Sequence, residues 1–584
     1  MLPKPEFEKL IDKKAKWQVD QFLFGRENGE RPTLQIKRFI EGIISADYHG
    51  RTLIELIQNA HDAHNSDAED GRICVLLDET EGEHGTLYVA NAGHPLTAGN
   101  FAAMVDVAVS DKPPSEGIGN KGVGFKSVLQ FSDCPEVYSR SNDAATEFDG
   151  FTFRFGRPDD FLALASRWGQ GDISLAYELE RNVSTLTLTF PIESVPGRVL
   201  ELGTRTSRDT GFCTVIRLPL KSKRALGDAR NEMLAVADSV APMHLFLDRI
   251  ETVQLVTVEP DDEARGDSAE HDEHWFPAPL GPDQRRSLSL TRLDEEIDAD
   301  RCVFRALLQD ESEFIVARRR VPELKVQEAI ASTRAAGAHL PGWDDWEGDA
   351  EVVLALSVGE PLAAPRLYNF LPMGDHVARP LPAYLQAPFF SSLDRRSLNE
   401  AYPINSLFLD EAAELAADLL LAATDGELDI PVGTLVDLGC WSEGHLPRLV
   451  AALEKRGRPL NQLAFLPSLA EPSSRVSVAE GSLWEAGGRQ FSPENLLPEH
   501  RKDLIDPNLG HTRLARLAGL YQSLGHGASW RPTNDMLVAF AEDCAQHLHS
   551  DAATPEAWAS FYDELGDSLP RNAPVAGALI VSGR

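Results

Sequence analysis

Three polar residues stand at helical spacing in RTLIELIQNAHDAH, residues 51–64. Glu55, Asn59 and Asp62 follow one another at intervals of four and three positions, so a helix would carry all three on one face. The amide oxygen of Asn59 can serve as a ligand of Mg²⁺, which prefers oxygen ligands. Glu55, one turn away, can orient and deprotonate an attacking water. An ordinary amphipathic helix with a solvated polar face would show the same spacing, and that alternative stays open.

The other side of this helix is expected to face the core. Leu53, Ile57, Ala60 and Ala63 fall largely on that side, as an amphipathic pattern requires. Because Ala60 and Ala63 are small, another group could approach the helix closely at these positions.

Two strand-like segments carry the next candidates. In VANAGHPLT, residues 89–97, Asn91 and Gly93 stand where a predicted strand opens into a loop. Such loops often carry ligand contacts, and glycine permits close backbone approach. In CTVIRLPL, residues 213–220, Thr214 lies in a predicted strand, where threonine is usually just a good β-former. A simple turn and an ordinary strand would explain each segment alone.

A glycine-rich segment, GIGNKGVGFKSV at residues 117–128, leads into an apolar, helix-like run. Such backbone presents free N–H groups and a positive dipole end to an anion, and Lys121 and Lys126 add charge. A dinucleotide fingerprint is excluded because it must follow a strand closely, whereas SDKPPSE precedes these glycines. A P-loop is excluded because Phe125 stands at the lysine position. A flexible structural loop is the alternative.

Taken in order, ExxxNAxDA, NxGxPxT, GxGxKGxGFKS and a strand with T-x-I-x-L resemble the Bergerat ATPases, or GHKL superfamily. That superfamily includes gyrase, the 90-kilodalton heat-shock chaperone, histidine kinases and MutL. The KGxGFKS form after IGN is most similar to the sacsin-type branch. The resemblance covers residues 1–220 through specific motifs. It extends more loosely to about residue 425, where YNFLP and APFFSSLDRRSLNE resemble the segment that follows the ATPase domain in sacsin-like proteins.

The resemblance implies that the chain binds ATP and Mg²⁺ and gives each matched residue a role. Glu55 would be the general base and Asn59 would hold Mg²⁺. Asp62 would line the pocket near the sugar and base, Gly93 would approach the base, and Thr214 would close the adenine side. Backbone N–H groups from Gly119 to Phe125 would cradle the phosphates. The full ATP-binding set is Asn59, Asp62, Asn91, Gly93, Lys112, Gly117, Gly119, Lys121, Gly122, Val123, Gly124, Phe125, Lys126 and Thr214.

One position departs from the family pattern. The family usually places Asp where this chain has Asn91, to accept a hydrogen bond from the adenine amino group. An Asn oxygen can accept that bond as well, so adenine recognition is retained. The Asn amide can also donate, which could relax selectivity for the base.

Two further segments are expected to act on bound ATP. Residues 97–118 contain glycines, prolines and a charged tip at Asp111 and Lys112, which predicts a lid that closes over the nucleotide. In relatives, a basic residue of the following domain reaches the γ-phosphate on closure. FFSSLDRRSLNE offers Arg395 and Arg396 for that catalytic role, and an ordinary surface pair of arginines is the alternative.

Length and composition indicate a globular chain of several domains. Its 584 residues, 42% hydrophobic and 8% aromatic, suggest about three or four domains. No apolar run approaches the roughly 18–20 residues that cross a bilayer, and the N-terminus lacks a signal-peptide pattern, so we expect a cytoplasmic protein without membrane contact. The six cysteines show no metal or disulfide spacing.

The charge balance argues against a general nucleic-acid binder. Lys and Arg number 56 and Asp and Glu number 91, which gives a formal net charge of −35. Such a chain repels a phosphate backbone except at a local basic patch. A DNA-associated ATPase with one basic groove is not excluded, and a merely solubilising acidic surface is the simpler alternative.

The expected fold class is α/β, in the form of an α+β sandwich. A Bergerat ATPase domain at 1–225 would have a mixed sheet with helices on one face. A transducer-like α/β domain would follow at 226–425, with an acidic exposed loop near 258–287. A mostly helical C-terminal region would span 426–584. Individual predictions include strands at 73–78, 86–91, 302–308 and 351–358 and a long helix at 407–423.

The expected function is Mg²⁺-dependent ATP hydrolysis that drives a conformational clamp, which captures or remodels a protein client as chaperones do. A slow, ATP-sensing scaffold in a bacterial defence or stress system is one alternative. A DNA-processing ATPase similar to MutL or a topoisomerase is another. Nucleotide-dependent homodimers are expected if the clamp acts in pairs. The apolar end APVAGALIVSGR also suggests a piece of a longer protein, although a C-terminal strand tucked into a sheet would look the same.

Overall fold

A large central sheet and many helices form the protein, as a computed structural model shows. The structure describes residues 4–29, 50–65, 68, 70–105, 124–157, 159–168, 173–182, 185–204, 211–237, 242–259, 286–297, 301–308, 310–340, 343, 346–369, 371–374, 376–391, 397–471, 473–483, 496–525, 531–550 and 553–568. The chain is therefore α/β with a mixed sheet, which confirms the predicted class.

The elements are numbered in chain order. The α-helices are α1 (Lys4–Glu27), α2 (Thr52–Asp62), α3 (Ala98–Val105), α4 (Asp160–Trp168), α5 (Ile173–Asn182), α6 (Gly197–Gly203), α7 (Lys223–Ala237), α8 (Glu323–Ala335), α9 (Pro403–Thr424), α10 (Val432–Gly439), α11 (Leu446–Lys455), α12 (Pro498–Arg501), α13 (Gly510–Ser523), α14 (Asn534–Ser550) and α15 (Pro555–Ser568). The strands are β1 (Gly71–Asp78), β2 (Thr86–Asn91), β3 (Glu136–Ser139), β4 (Phe153–Phe155), β5 (Thr189–Pro191), β6 (Thr214–Pro219), β7 (Ile250–Val258), β8 (Arg286–Ile297), β9 (Arg301–Leu308), β10 (Glu313–Val321), β11 (Ala350–Ser357), β12 (Arg366–Asn369), β13 (Leu371–Pro372), β14 (Tyr384–Gln386), β15 (Leu466–Pro467), β16 (Arg475–Val476), β17 (Ser482–Leu483) and β18 (Leu504–Ile505).

Fourteen strands form one sheet in the order β13-β12-β14-β11-β10-β9-β8-β7-β1-β2-β6-β3-β4-β5. The pairs β1–β7 and β12–β14 are parallel and the other paired strands are antiparallel. The sheet thus continues from the segments that carry the nucleotide motifs into the second half of the chain.

Strands β1 and β2 are apolar on both faces, as strands at the centre of a covered sheet must be. Alternate residues point to opposite faces. Val75, Leu77, Leu87 and Val89 pack in one core with Leu56 and other residues of α2. The opposite face is covered in part by aromatic residues and by Val199 of α6.

The second half of the sheet packs against helices α8 to α11 and α13. Helix α9 is rich in Ala and Leu, which favour helix, and it has a proline in its first turn. Arg319 of β10 ties the sheet to this helix, because its guanidinium donates to Glu411 and Asp418. The long helix predicted at 407–423 is therefore confirmed inside α9.

The expected boundary at residue 225 falls within helix α7, whose Ala225, Ala229 and Met233 pack in the same core as α2. Most of the predicted acidic loop at 258–287 lies outside the described residues. Within the described ranges, no helix combines the length and the apolar character needed to cross a bilayer.

Candidate functional site

Helix α2 carries the predicted catalytic face. Glu55 is buried, with 1% of its surface exposed, and Asn59 one turn later is half-buried. The side chain of Asp62 is also buried, at 1% exposure. The opposite face bears Leu53, Leu56 and Ile57, which are fully buried in the core.

The start of α2 is anchored by a carboxylate from far along the chain. The first backbone N–H groups of any helix lack partners within it. Here Glu232 of α7 accepts from the Leu53 N–H at 2.7 Å and also bonds the N–H of Thr52. Burial raises the pKa of Glu232 to about 8. A remote side chain therefore performs the capping that a local Ser, Thr or Asp usually performs.

The end of α2 is held by the loop after β2. The His94 N–H donates to the Ala63 carbonyl at 2.7 Å, and Gly93 lies directly against that carbonyl. A Cβ at Gly93 would stand 2.3 Å from the Ala63 oxygen. Gly93 also lines a cavity of about 300 Å³ together with His64. The close approach that the small residues of α2 predicted is thus made by the protein's own backbone.

Three polar side chains form a row across neighbouring strands. Asn91 of β2 is paired with Thr214 of β6, and Thr214 is paired with Ser139 of β3. The hydroxyls of Thr214 and Ser139 lie 3.2 Å apart. Directly paired residues share a face of the sheet, and alternation along β2 places Asn91 on the same face as Val89, which packs with α2. Two motifs more than a hundred residues apart in the chain therefore meet beside α2.

Asn91 is 6% exposed, and its Nδ2 has no hydrogen-bond partner among the residues that the structure describes. Leaving a buried donor unsatisfied costs roughly 1–3 kcal/mol. A ligand that offers an acceptor at this point would remove that cost. The amide oxygen is the acceptor that the sequence resemblance predicts for this position.

Ser139 was not predicted from the sequence. Its hydroxyl accepts from the Leu96 N–H at 2.9 Å as well as meeting Thr214. A lone serine in a short strand gives no signal on its own, and only the strand order brings it to the row.

The helix-like run that ends the glycine-rich motif is a 3-10 helix, Gly124–Gln130. Phe125 is buried against Phe155. Lys126 is 1% exposed, and its ammonium donates to the Met104 carbonyl at 2.6 Å, with the Val105 and Leu186 carbonyls at 3.4 Å. Lys126 thus bonds the end of α3, a helix that forms the first part of the predicted lid, 97–118.

Several predicted residues lie outside the described part of the chain. They include the outer part of the lid, most of the glycine loop and both arginines, namely Lys112, Gly117, Gly119, Lys121, Gly122, Val123, Arg395 and Arg396. Their roles stay predictions.

A buried histidine beside the catalytic face was also missed. His61 Nδ1 lies 3.1 Å from Asp62 Oδ1, and its Nε2 lies 2.8 Å from Asp248 Oδ1. Burial alone would lower the pKa of His61, but the hydrogen bonds to Asp248 and Asp62 outweigh it and raise that pKa. Burial would likewise raise the pKa of Asp248, but the bond from His61 and the charge of Arg318 bring it well below its usual range.

Comparison with known proteins adds one likeness. The chain is similar to Protein NO VEIN of Arabidopsis thaliana, with 29% identity over 216 residues. That stretch is 36% of this chain and 7% of the plant protein, so the chain matches a small part of it. No protein-family model matches the chain.

We predict that Gly93→Ala lowers the thermal unfolding midpoint. The new methyl would collide with the Ala63 carbonyl, and such overpacking typically costs about 1–3 kcal/mol. Gly227→Ala in α7 is the control, because, apart from its own helix, the described residues place no atom within 4 Å of its added Cβ, and alanine favours helix. Circular dichroism melting measures both. A Gly93→Ala protein as stable as the parent would contradict the close contact.

We also predict that stability falls as the pH rises from about 4.5 to about 8. The folded state keeps a proton on Glu232 that the unfolded state releases in this window, because the folded pKa is raised from 4.5 to about 8. Glu232→Gln retains an acceptor for Leu53 and cannot titrate, so it should flatten the decline. Asp228→Asn, one turn earlier, should leave most of it. Melting midpoints at pH 5.5 and 8.5 test this, and equal slopes in parent and Gln variant would refute it.

Proposed function

We propose that the chain binds Mg-ATP beside helix α2 and hydrolyses it, as a Bergerat-type ATPase. The observation that carries the proposal is the convergence of separate motifs. Glu55, Asn59 and Asp62 share one helix, and Asn91 and Thr214 stand side by side on the sheet face that this helix covers. An accidental amphipathic helix gives no reason for that meeting.

The residues present suit the proposed ligands. Asn91 offers the adenine ring a buried amide whose donor lacks a described partner, and Thr214 and Ser139 offer adjacent hydroxyls. Asn59 would hold Mg²⁺ through its amide oxygen, and the ion would neutralise phosphate charge. Glu55, buried in a water-poor setting, would accept a proton from the attacking water.

Lys126 has a different part in this proposal. Its ammonium already bonds the carbonyls at the end of α3, so it would fix the base of the lid and not contact a phosphate directly. The phosphates would be bound by the backbone of the glycine loop, 117–124, which the sequence motif indicates.

For the biological role, we propose a chaperone-like clamp that captures or remodels a protein client in the cytoplasm. The continuous sheet supports this role, since it connects the proposed site to the second half of the chain. A slow ATP-sensing scaffold would use the same pocket with little turnover. A DNA-processing ATPase is disfavoured by the net charge of −35.

Two substitutions on α2 separate binding from chemistry. Glu55→Ala should bind ATP normally but lose roughly 10²–10⁴ of the turnover, the usual worth of a general base. Asn59→Ala should lose Mg-dependent ATP binding itself. Calorimetric titration and a phosphate-release assay measure the two effects, with Glu201→Ala as control, because the Glu201 side chain of α6 is 66% exposed. Normal hydrolysis by Glu55→Ala would refute the assignment.

The two arginines are best tested in the whole chain. Truncation at residue 225 would remove Glu232 and strand β7, which anchor α2 and continue the sheet. In the full chain, Arg395→Ala or Arg396→Ala should cut turnover by about 10³-fold, the scale of an arginine finger, and leave ATP affinity unchanged. Equal turnover in parent and both variants would exclude the role.

A further inference from the structure

A continuous series of four charged side chains connects the second half of the sheet to helix α2. Arg318 of β10 donates to Asp248 Oδ2 at 3.3 Å, and the other oxygen of Asp248 lies 2.8 Å from His61 Nε2. His61 Nδ1 lies 3.1 Å from Asp62 Oδ1. The series thus ends at Asp62, which the proposed function places in the nucleotide pocket.

The geometry favours a charged histidine. A neutral imidazole has one N–H, whereas both ring nitrogens of His61 face carboxylate oxygens. Only the imidazolium can donate to both carboxylates, and in that form the charges alternate along the series. His61 and Asp62 are almost fully buried, at 4% and 1% side-chain exposure. Removing His61 would take a charged partner from the buried Asp62 carboxylate, which costs far more than losing a surface ion pair.

Packing alone does not fix the far end of this series. Asp248 and Arg318 both line a cavity of about 310 Å³, so they have open space on one side. The side chain of Arg318 is 13% exposed, and its guanidinium also lies 3.4 Å from the carboxylate of Glu351 in β11. Directed hydrogen bonds, and not close contacts all round, therefore hold Asp248 in place for His61.

We propose that His61 is a positioning residue that couples the nucleotide site to strand β10 through Asp248 and Arg318. It orients the carboxylate of Asp62 for the nucleotide, and a shift of β10 changes that orientation. Coupling between two sites is reciprocal, so bound nucleotide also restrains the position of β10. This inference rests on the proposed ATP site.

The test measures Mg-ATP affinity and turnover in the full chain. His61→Phe keeps the ring volume and removes both hydrogen bonds, so Kd should rise about tenfold, the scale of one charge-assisted bond. The maximal rate should stay within about twofold, because Glu55 is two turns away on the helix and acts on water. Asp248→Asn removes the charge of another member of the series without creating a cavity. It should therefore also raise the Kd for Mg-ATP.

The remote end provides the decisive comparison. Arg318→Met should also raise Kd, Arg318→Lys should retain most of the affinity, and His61→Phe combined with Arg318→Met should be no weaker than His61→Phe alone. Arg320→Met is the matched control. Arg320 lies on the same face of β10 as Arg318, but its side chain is 66% exposed and it is not a member of the series. Circular dichroism checks that each variant is folded.

The outcomes separate the two proposals. If the parent binds no ATP, the proposed function fails and the coupling fails with it. If the parent binds ATP but His61→Phe and Asp248→Asn bind it equally well, only the coupling is refuted. Effects of His61→Phe and Arg318→Met that multiply would show that the two residues act independently, which also refutes it.

Discussion

The free N–H groups at the start of helix α2 impose the constraint on which the rest of the site depends. A helix that begins inside the molecule needs an acceptor there, and this sequence provides Glu232 from α7. That choice brings α7 into the core beside α2 and places a carboxylate where burial opposes its charge. The polar face of α2 is therefore set in position by a helix that begins 171 residues later, at Lys223 against Thr52.

Local sequence was sufficient to place the first elements of the site. The helix predicted within 51–64 runs from Thr52 to Asp62, and the strand predicted at 86–91 is β2. These segments have strong periodicity, and their neighbours are close in the chain. The row of Asn91 and Thr214 was suggested by motif order, and strand pairing gives it a physical form.

The contacts that hold those elements together could not be read from the sequence. Glu232, Asp248 and Arg318 look like ordinary charged residues in helix, loop and strand, and each acquires its role only from a partner about 70 to 190 positions away. Lys126 makes a contact that its motif did not indicate. Its place in a glycine-rich motif suggested phosphate, whereas its ammonium lies among backbone carbonyls. Burial, which no local pattern reports, decides each of these cases.

The way the sheet joins its two halves has a mechanical consequence. Among the described residues, β8 pairs with β7 from Thr252–Ser289 to Leu255–Arg286, and β7 runs parallel to β1 through eight residue pairs. A twist of the second half that the continuous sheet transmits would reach β7, and β7 lies directly beside β1, which packs in the same core as helix α2.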